Sequence, residues 1–294
     1  MEEENNMFVL RLGSFIVLVG LFLYCTLGNG PVPGWIFSAF AASAAGMVMY
    51  EASSMLEKIG KKSFNIIFAL FSGVLIFCMS HITDFSGIFV SVILSISALC
   101  VCFWFGILKS ADKKGYFEKF CNSAGIFTIL IIPLVFLVYI YRVDPFLLLF
   151  VVAVTKIGDT GAYCVGMTSN IILKGKNHKI VPSISPKKSW EGTIGGLISS
   201  IIMSICLWPY TPLAQNPDEK FSSMALICGI ILFTGGFCGD LTESVIKRIC
   251  GVKDSANYIP GMGGVFDFLD SMLLNSVIFT VFLIIYKLMP YNGM

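Results

Sequence analysis

Charge is scarce in this chain. Of its 294 residues, 13% are charged and 56% are hydrophobic, and the mean hydropathy is +0.84. Soluble domains carry roughly 25% charge. A soluble core of this size cannot hide so much apolar surface, and lipid is its natural solvent. A strong net charge is missing as well. At +2 the chain makes no global field that would draw a nucleic acid, so no nucleic-acid partner is expected. Cysteine is not rare, with ten residues, but most sit in apolar runs (Cys25, Cys78, Cys206, Cys228) and the closest pair is Cys100 and Cys102. That spacing fits neither a zinc knuckle nor a redox pair, so they read as reduced, small apolar residues. A basic leader is absent too. The start, Met1 to Asn6, holds three acids and no base before an apolar stretch from Phe8. A signal peptide wants a basic start and a short apolar core, so this stretch of ~20 residues is expected to stay as a first membrane helix. No internal repeat or low-complexity tract is present.

What fills the chain is a series of apolar runs, at 8–27, 32–50, 64–80, 85–108, 124–141, 145–168, 192–209, 222–242 and 271–289. Each is long enough for a ~30 Å hydrocarbon core. The expectation is an all-α, polytopic integral membrane protein of about nine transmembrane helices. Basic residues set its orientation. Fifteen fall in loops after even-numbered helices: Lys58, Lys61 and Lys62; Lys109, Lys113, Lys114 and Lys119; Lys174, Lys176, Lys179, Lys187 and Lys188; Lys247, Arg248 and Lys253. Loops after odd-numbered helices hold Arg142 and Lys220. The positive-inside rule then puts the N-terminus and both long polar loops, 169–191 and 243–270, on the cytoplasmic side.

Three polar clusters interrupt the second half. In the first, Lys156 to Tyr163, a lysine and Asp159 stand three apart inside an apolar run and share a helical face. Charges at that depth usually face a polar cavity or each other, so an ion pair that holds helices together and a transport pathway both remain open. The second, Ser185 to Thr193, carries Lys187, Lys188 and Glu191 where a loop becomes a helix. Ser185 or Ser189 can cap that helix, and its N-terminus with two lysines suits phosphate oxygens; lysines meeting lipid head groups are the plainer alternative. The third runs from Gly239 to Ser271. Asp240, Glu243 or Ser244, and Lys247 recur at helical spacing. Asp254 follows, then Pro260 with Gly261, Gly263 and Gly264, a turn able to adopt positive φ and approach a ligand closely. Asp267 and Asp270 then open the last helix. Carboxylates from different helices beside lysines suit a hard cation such as magnesium that also meets phosphates; a solvated loop with capping acids is the simpler reading.

The three clusters together resemble the phosphatidate cytidylyltransferase (CDP-diacylglycerol synthase) family. Its signature is approximately S-x-x-K-R-x4-K-D, then P-G-H-G-G, then D-R-x-D. Here the matching positions are Ser244, Lys247, Arg248, Lys253, Asp254, Pro260, Gly261, Gly263, Gly264, Asp267 and Asp270. The runs Asp159 to Tyr163 and Ser185 to Gly192 also resemble family motifs, in the family's order. The specific match covers about 156–275; the N-terminal half matches in apolar character, with Glu51 as a slight addition. Met262 stands where the family usually has histidine and Phe268 where it usually has arginine.

The resemblance implies transfer of CMP from CTP to phosphatidate, with pyrophosphate leaving. It divides the chain into an N-terminal transmembrane region, 1–150, and a catalytic transmembrane region, 151–294. It puts Mg2+ on Asp240 and Asp267 with Lys247 beside it, leaves room for a second, monovalent cation, and makes Asp254 and Asp270 further ligands or orienters. Lys187, Lys188 and Lys253 would hold CTP phosphates, Glu191 would orient a lysine, and Lys156 and Asp159 would line the cavity floor. Ser185, Ser244, Arg248, Gly263 and Gly264 complete the substrate-binding set. The resemblance also implies a cell inner membrane, a cytoplasm-facing site and a homodimer. A phosphate monoester oxygen is already anionic, so the reaction depends on positioning and charge neutralisation more than on a base. The chain's two histidines, His81 and His178, both lie outside the signature, which speaks against an essential histidine base. A CDP-archaeol synthase or a CTP-dependent lipid kinase would share nucleotide and bilayer, and a transporter is a rival of another class.

Overall fold

The computed structural model describes residues 2–81, 85–182, 184–214, 223–256, 258 and 263–288. Among these the helices are α1 (Glu2–Leu27), α2 (Pro31–Lys58), α3 (Asn65–Met79), α4 (Phe85–Lys109), α5 (Lys113–Val143), α6 (Pro145–Ile172), α7 (Trp190–Leu207), α8 (Ser223–Ile249) and α9 (Val265–Leu288). Each expected span falls on one of them. Seven, counting Val92–Lys109 of α4, Trp190–Tyr210 and Val265–Tyr286, are long and apolar enough to cross a membrane, while Ile16–Leu27 and Asn65–Met79 are shorter apolar helices. The chain is thus a polytopic integral membrane protein, and nine is an approximate number of crossings.

It forms two compact units that interleave in sequence. The first holds residues 1–143 and 246–269, the second 144–245 and 270–294. In the first unit α2 packs on α3 through small residues. A Cβ on Gly46 would lie 3.3 Å from the Ala69 carbonyl oxygen, and one on Gly73 would lie 3.2 Å from that of Ala42. Lipid offers no hydrophobic drive between helices, so such close backbone approach, with its dispersion contacts, is how they associate. Tyr141 stacks on Phe37 with ring centroids 3.6 Å apart and donates to the Cys25 carbonyl at 3.0 Å, tying α1, α2 and α5 together.

The second unit begins with a cap. Asp144 accepts from the Phe146 amide at 2.7 Å and Pro145 occupies the first helical position, so α6 starts with its orphan donors addressed. The face of α6 bearing Gly158 and Ala162 meets Gly192 and Gly196 of α7; a Cβ on Gly196 would come within 2.8 Å of the Gly158 carbonyl. Deeper in, Asn275 of α9 donates to Thr155 Oγ1 of α6 at 2.7 Å and to the Leu232 carbonyl of α8 at 2.8 Å. A buried amide in an apolar bundle needs such partners, and here one side chain ties three helices. The segment expected as a plain polar loop, 169–191, carries an antiparallel hairpin of β1 (Lys179–Val181) and β2 (Ser185–Ser189).

Candidate active site

In the second unit, carboxylates and ammonium groups gather from α6, β2, α8 and α9. Asp240 and Glu243, three apart on α8, and Asp270 on α9 place one oxygen each within 4.8 Å of one another. Lys188 brings its ammonium 2.9 Å from Asp240 while lying 4.4 Å over the Phe237 ring. Lys156 is 3.5 Å from Asp159, 4.0 Å from Asp270, and donates to Ser271 Oγ at 3.0 Å. Ser271 Oγ in turn donates to Asp159 at 3.2 Å. Three carboxylates this close repel one another unless a cation or a proton intervenes. Their oxygens form the hard donor set that magnesium or calcium prefers, and the residues present therefore fit a divalent ion.

Each group owes its place to local structure. Along β2 successive side chains alternate faces, so Lys187 is exposed while Lys188 turns inward onto Asp240. The two lysines expected to act side by side thus point apart. Of the two candidate caps, Ser189 accepts from the Gly192 amide at 3.2 Å and starts α7; Ser185 lies at the head of β2, paired with Val181. Glu191, expected to orient a lysine, accepts instead from the backbone amide of His178 at 3.1 Å and lies 2.8 Å from its Nδ1. It fastens the hairpin to the first turn of α7. Ser244 donates to Asp240 at 3.4 Å.

In the first unit a second constellation surrounds the start of α9. Asp267 Oδ1 accepts from the Lys247 ammonium at 3.0 Å, and its Oδ2 accepts from the amides of Ser255 at 3.0 Å and Gly264 at 2.8 Å. The bond back to Gly264 is the third-residue half of a capping box. Glu51 of α2 completes it. Its two oxygens accept from the Val265 amide, the Phe266 amide and Ser255 Oγ, each at 2.9 Å. The first amides of α9 thus have partners (two of them through a side chain more than 200 residues away in sequence), and the helix begins at Val265, ahead of the apolar run that starts at 271. Gly263 has φ +87°, the conformation expected of this turn. A Cβ on Gly264 would collide with Ser255 Oγ and Glu51 Oε2. Arg248 Nη1 donates to the Val252 carbonyl at 3.2 Å and closes the end of α8, while Lys253 and Asp254 are exposed. Phe268 is half-buried; Gly261 and Met262 lie outside the described residues.

A cytidylyltransferase family model matches residues 9–286, nearly the whole chain. The chain belongs to the cytidylyltransferase family. Among curated relatives of this cytidylyltransferase are the phosphatidate cytidylyltransferase of Haemophilus influenzae, 38% identical over 146 residues, which is 48% of each chain, and that of Staphylococcus haemolyticus, 40% identical over 137 residues, 47% of this chain and 48% of the relative. Phosphatidate cytidylyltransferase 4, chloroplastic, of Arabidopsis thaliana is 47% identical over 108 residues, 36% of this chain and 26% of the relative. The chain spans about half the length, or less, of the curated relatives it matches.

Three side chains of these two groups are absent from the site residues expected from sequence. Glu243 shares the helical spacing of Asp240 and was open to detection as an alternative to Ser244. Ser271 ends the third polar cluster, and nothing in its position signals that it bridges Lys156 and Asp159. Ser255, next to Asp254, carries two of the contacts around Asp267 and Glu51.

Proposed function

We propose that this cytidylyltransferase makes CDP-diacylglycerol. A phosphate oxygen of phosphatidate attacks the α-phosphorus of CTP; the bond from that phosphorus to the bridging oxygen of the β-phosphate breaks, and pyrophosphate leaves. The carrying observation is the meeting of Asp240, Glu243 and Asp270 with Lys188 and Lys156 in one unit of a membrane-spanning family member. The names of the curated relatives point to the same lipid.

Asp240, with Glu243 and Asp270, would hold Mg2+; bound there, the ion neutralises developing phosphate charge and orients the phosphates. Lys188, half-buried with its ammonium 2.9 Å from Asp240, is the residue we assign to the CTP phosphates, with exposed Lys187 and Lys253 giving longer-range attraction. Lys156, held by Ser271 and Asp159, sets the charge at the Asp270 side of the group. Asp267 keeps the part that the resemblance gives it, a carboxylate ligand for Mg2+, with Lys247 steadied against it. Ser244, hydrogen-bonded to Asp240, orients that ligand. Gly263 lets backbone run close beside Asp267, and the Gly264 amide donates to that carboxylate. The positive-inside pattern supports a cytoplasm-facing site and N-terminus in a cell inner membrane, with the acyl chains kept in the bilayer. A homodimer and a second, monovalent cation belong to the same reading.

The test is pyrophosphate release by purified protein in detergent with CTP, Mg2+ and phosphatidate, each omitted in turn. Release that needs all three supports the reading. Release of CDP instead of pyrophosphate would make the protein a lipid kinase, and solute flux in liposomes without CTP would make it a transporter.

A further inference from the structure

The carboxylate of Glu51 is the most deeply buried charge-bearing side chain described, at 1% exposure. Burying such a group costs several kcal/mol unless its oxygens are met by donors. Its oxygens accept from one short stretch, Ser255 and the first two residues of α9. That stretch also delivers the amides of Ser255 and Gly264 to Asp267, and Asp267 meets Lys247. Ser255 is common to both carboxylates: its hydroxyl donates to Glu51 and its amide to Asp267. Gly264 is common too, since any side chain there would strike the Glu51–Ser255 pair while its amide donates to Asp267.

A simple structural cap would need only one of these bonds. In many helices a Ser, Thr, Asp or Asn just before the first turn supplies such a bond; before α9 that position is Gly264. Here the acceptor comes from α2, more than 200 residues away in sequence. We infer that Glu51 is a positioning residue: through Ser255 and the α9 amides it sets the direction of the Asp267 carboxylate and hence of Lys247. This rests on the proposed transfer reaction.

The experiment compares wild type, Glu51→Gln, Glu51→Asp and Ser255→Ala as full chains in detergent. Steady-state pyrophosphate release is read per folded molecule, alongside amide hydrogen exchange of residues 263–268. Glu51→Gln keeps the size but replaces one acceptor oxygen with a donor that faces donors. A misplacement of about 1 Å costs on the order of 10²-fold in rate, so kcat should fall about 10²-fold with KM for CTP changed less than about threefold. Amide exchange at Val265 and Phe266 should quicken. Glu51→Asp, which keeps the acceptors on a shorter stem, should recover part of kcat, and Ser255→Ala should fall between. Wild-type kcat in folded Glu51→Gln overturns the inference. So does a loss that tracks only the unfolded fraction and is not relieved by Glu51→Asp, for then Glu51 serves stability alone. Failure of wild type to release pyrophosphate would overturn the underlying reading itself, and the inference with it.

Discussion

Replacing Asp240 with asparagine should separate catalysis from stability with opposite signs. The substitution keeps shape and removes one negative charge. The loss is the ion pair with Lys188 at 2.9 Å, where the aspartate side chain is 37% exposed and the lysine 15%. Exposed pairs are worth about 0–1 kcal/mol and fully buried ones more, so this pair contributes about 1 kcal/mol. The gain is relief from Glu243 and Asp270, whose nearest oxygens lie within 4.8 Å. At an effective dielectric of about 20, two unit charges at that distance repel by about 3 kcal/mol, and water at the half-exposed Asp240 reduces this to about 1 kcal/mol for each neighbour. The balance leaves the metal-free protein unchanged or about 1 kcal/mol more stable, a rise in Tm of about 2–4 °C or less. Turnover moves the other way. Removing a group that supports the charge of the transferring phosphoryl typically costs on the order of 10²–10³-fold, and here the metal is weakened as well. The assay pairs thermal unfolding without metal against pyrophosphate release across a Mg2+ titration. Wild-type turnover at ordinary Mg2+ in Asp240→Asn would refute the assignment. A large drop in metal-free stability would refute the charge accounting.

Lys188→Met should lower turnover about 10²-fold, whereas Lys187→Met on the opposite face of the strand should cost less than about tenfold and mainly slow substrate capture at low salt; equal losses would mean that the hairpin does not sort the two lysines. Gly264→Ala should destabilise the protein by about 2 kcal/mol or more, because its Cβ meets the buried Glu51–Ser255 pair; thermal unfolding checks it, and a neutral result would show that the turn rearranges freely. Chelation of metal by EDTA should abolish turnover, and added Mg2+ should restore it, followed by pyrophosphate release; unchanged turnover in EDTA would remove the metal from the mechanism.

The helical framework was legible because length and apolarity alone decide what spans a bilayer. The orientation of Lys156 toward Asp159 was equally legible, since three residues apart on a helix leaves little choice. What stayed hidden depends on tertiary approach. Spacing cannot say that Lys187 and Lys188 diverge, because that needs the strand which the loop composition concealed. It cannot pair Glu191 with His178 across a hairpin turn. Nor can it place Glu51 on the amides of α9, since that contact joins one helix to the start of another more than 200 residues later. Asp240 sits in the expected kind of acidic group, with Asp270, one of the further ligands that the resemblance implied, and with Glu243, which shares its helical spacing.

The central claim is that the CMP moiety of CTP ends on the lipid. It is tested most directly with CTP labelled at either the α- or the γ-phosphate, incubated with purified protein, Mg2+ and phosphatidate, followed by extraction of the lipid. The account predicts label in the lipid from α-labelled CTP, in a product whose mass is that of CDP-diacylglycerol, and none from γ-labelled CTP. Lipid labelled from the γ-position, or not labelled from either, would contradict it.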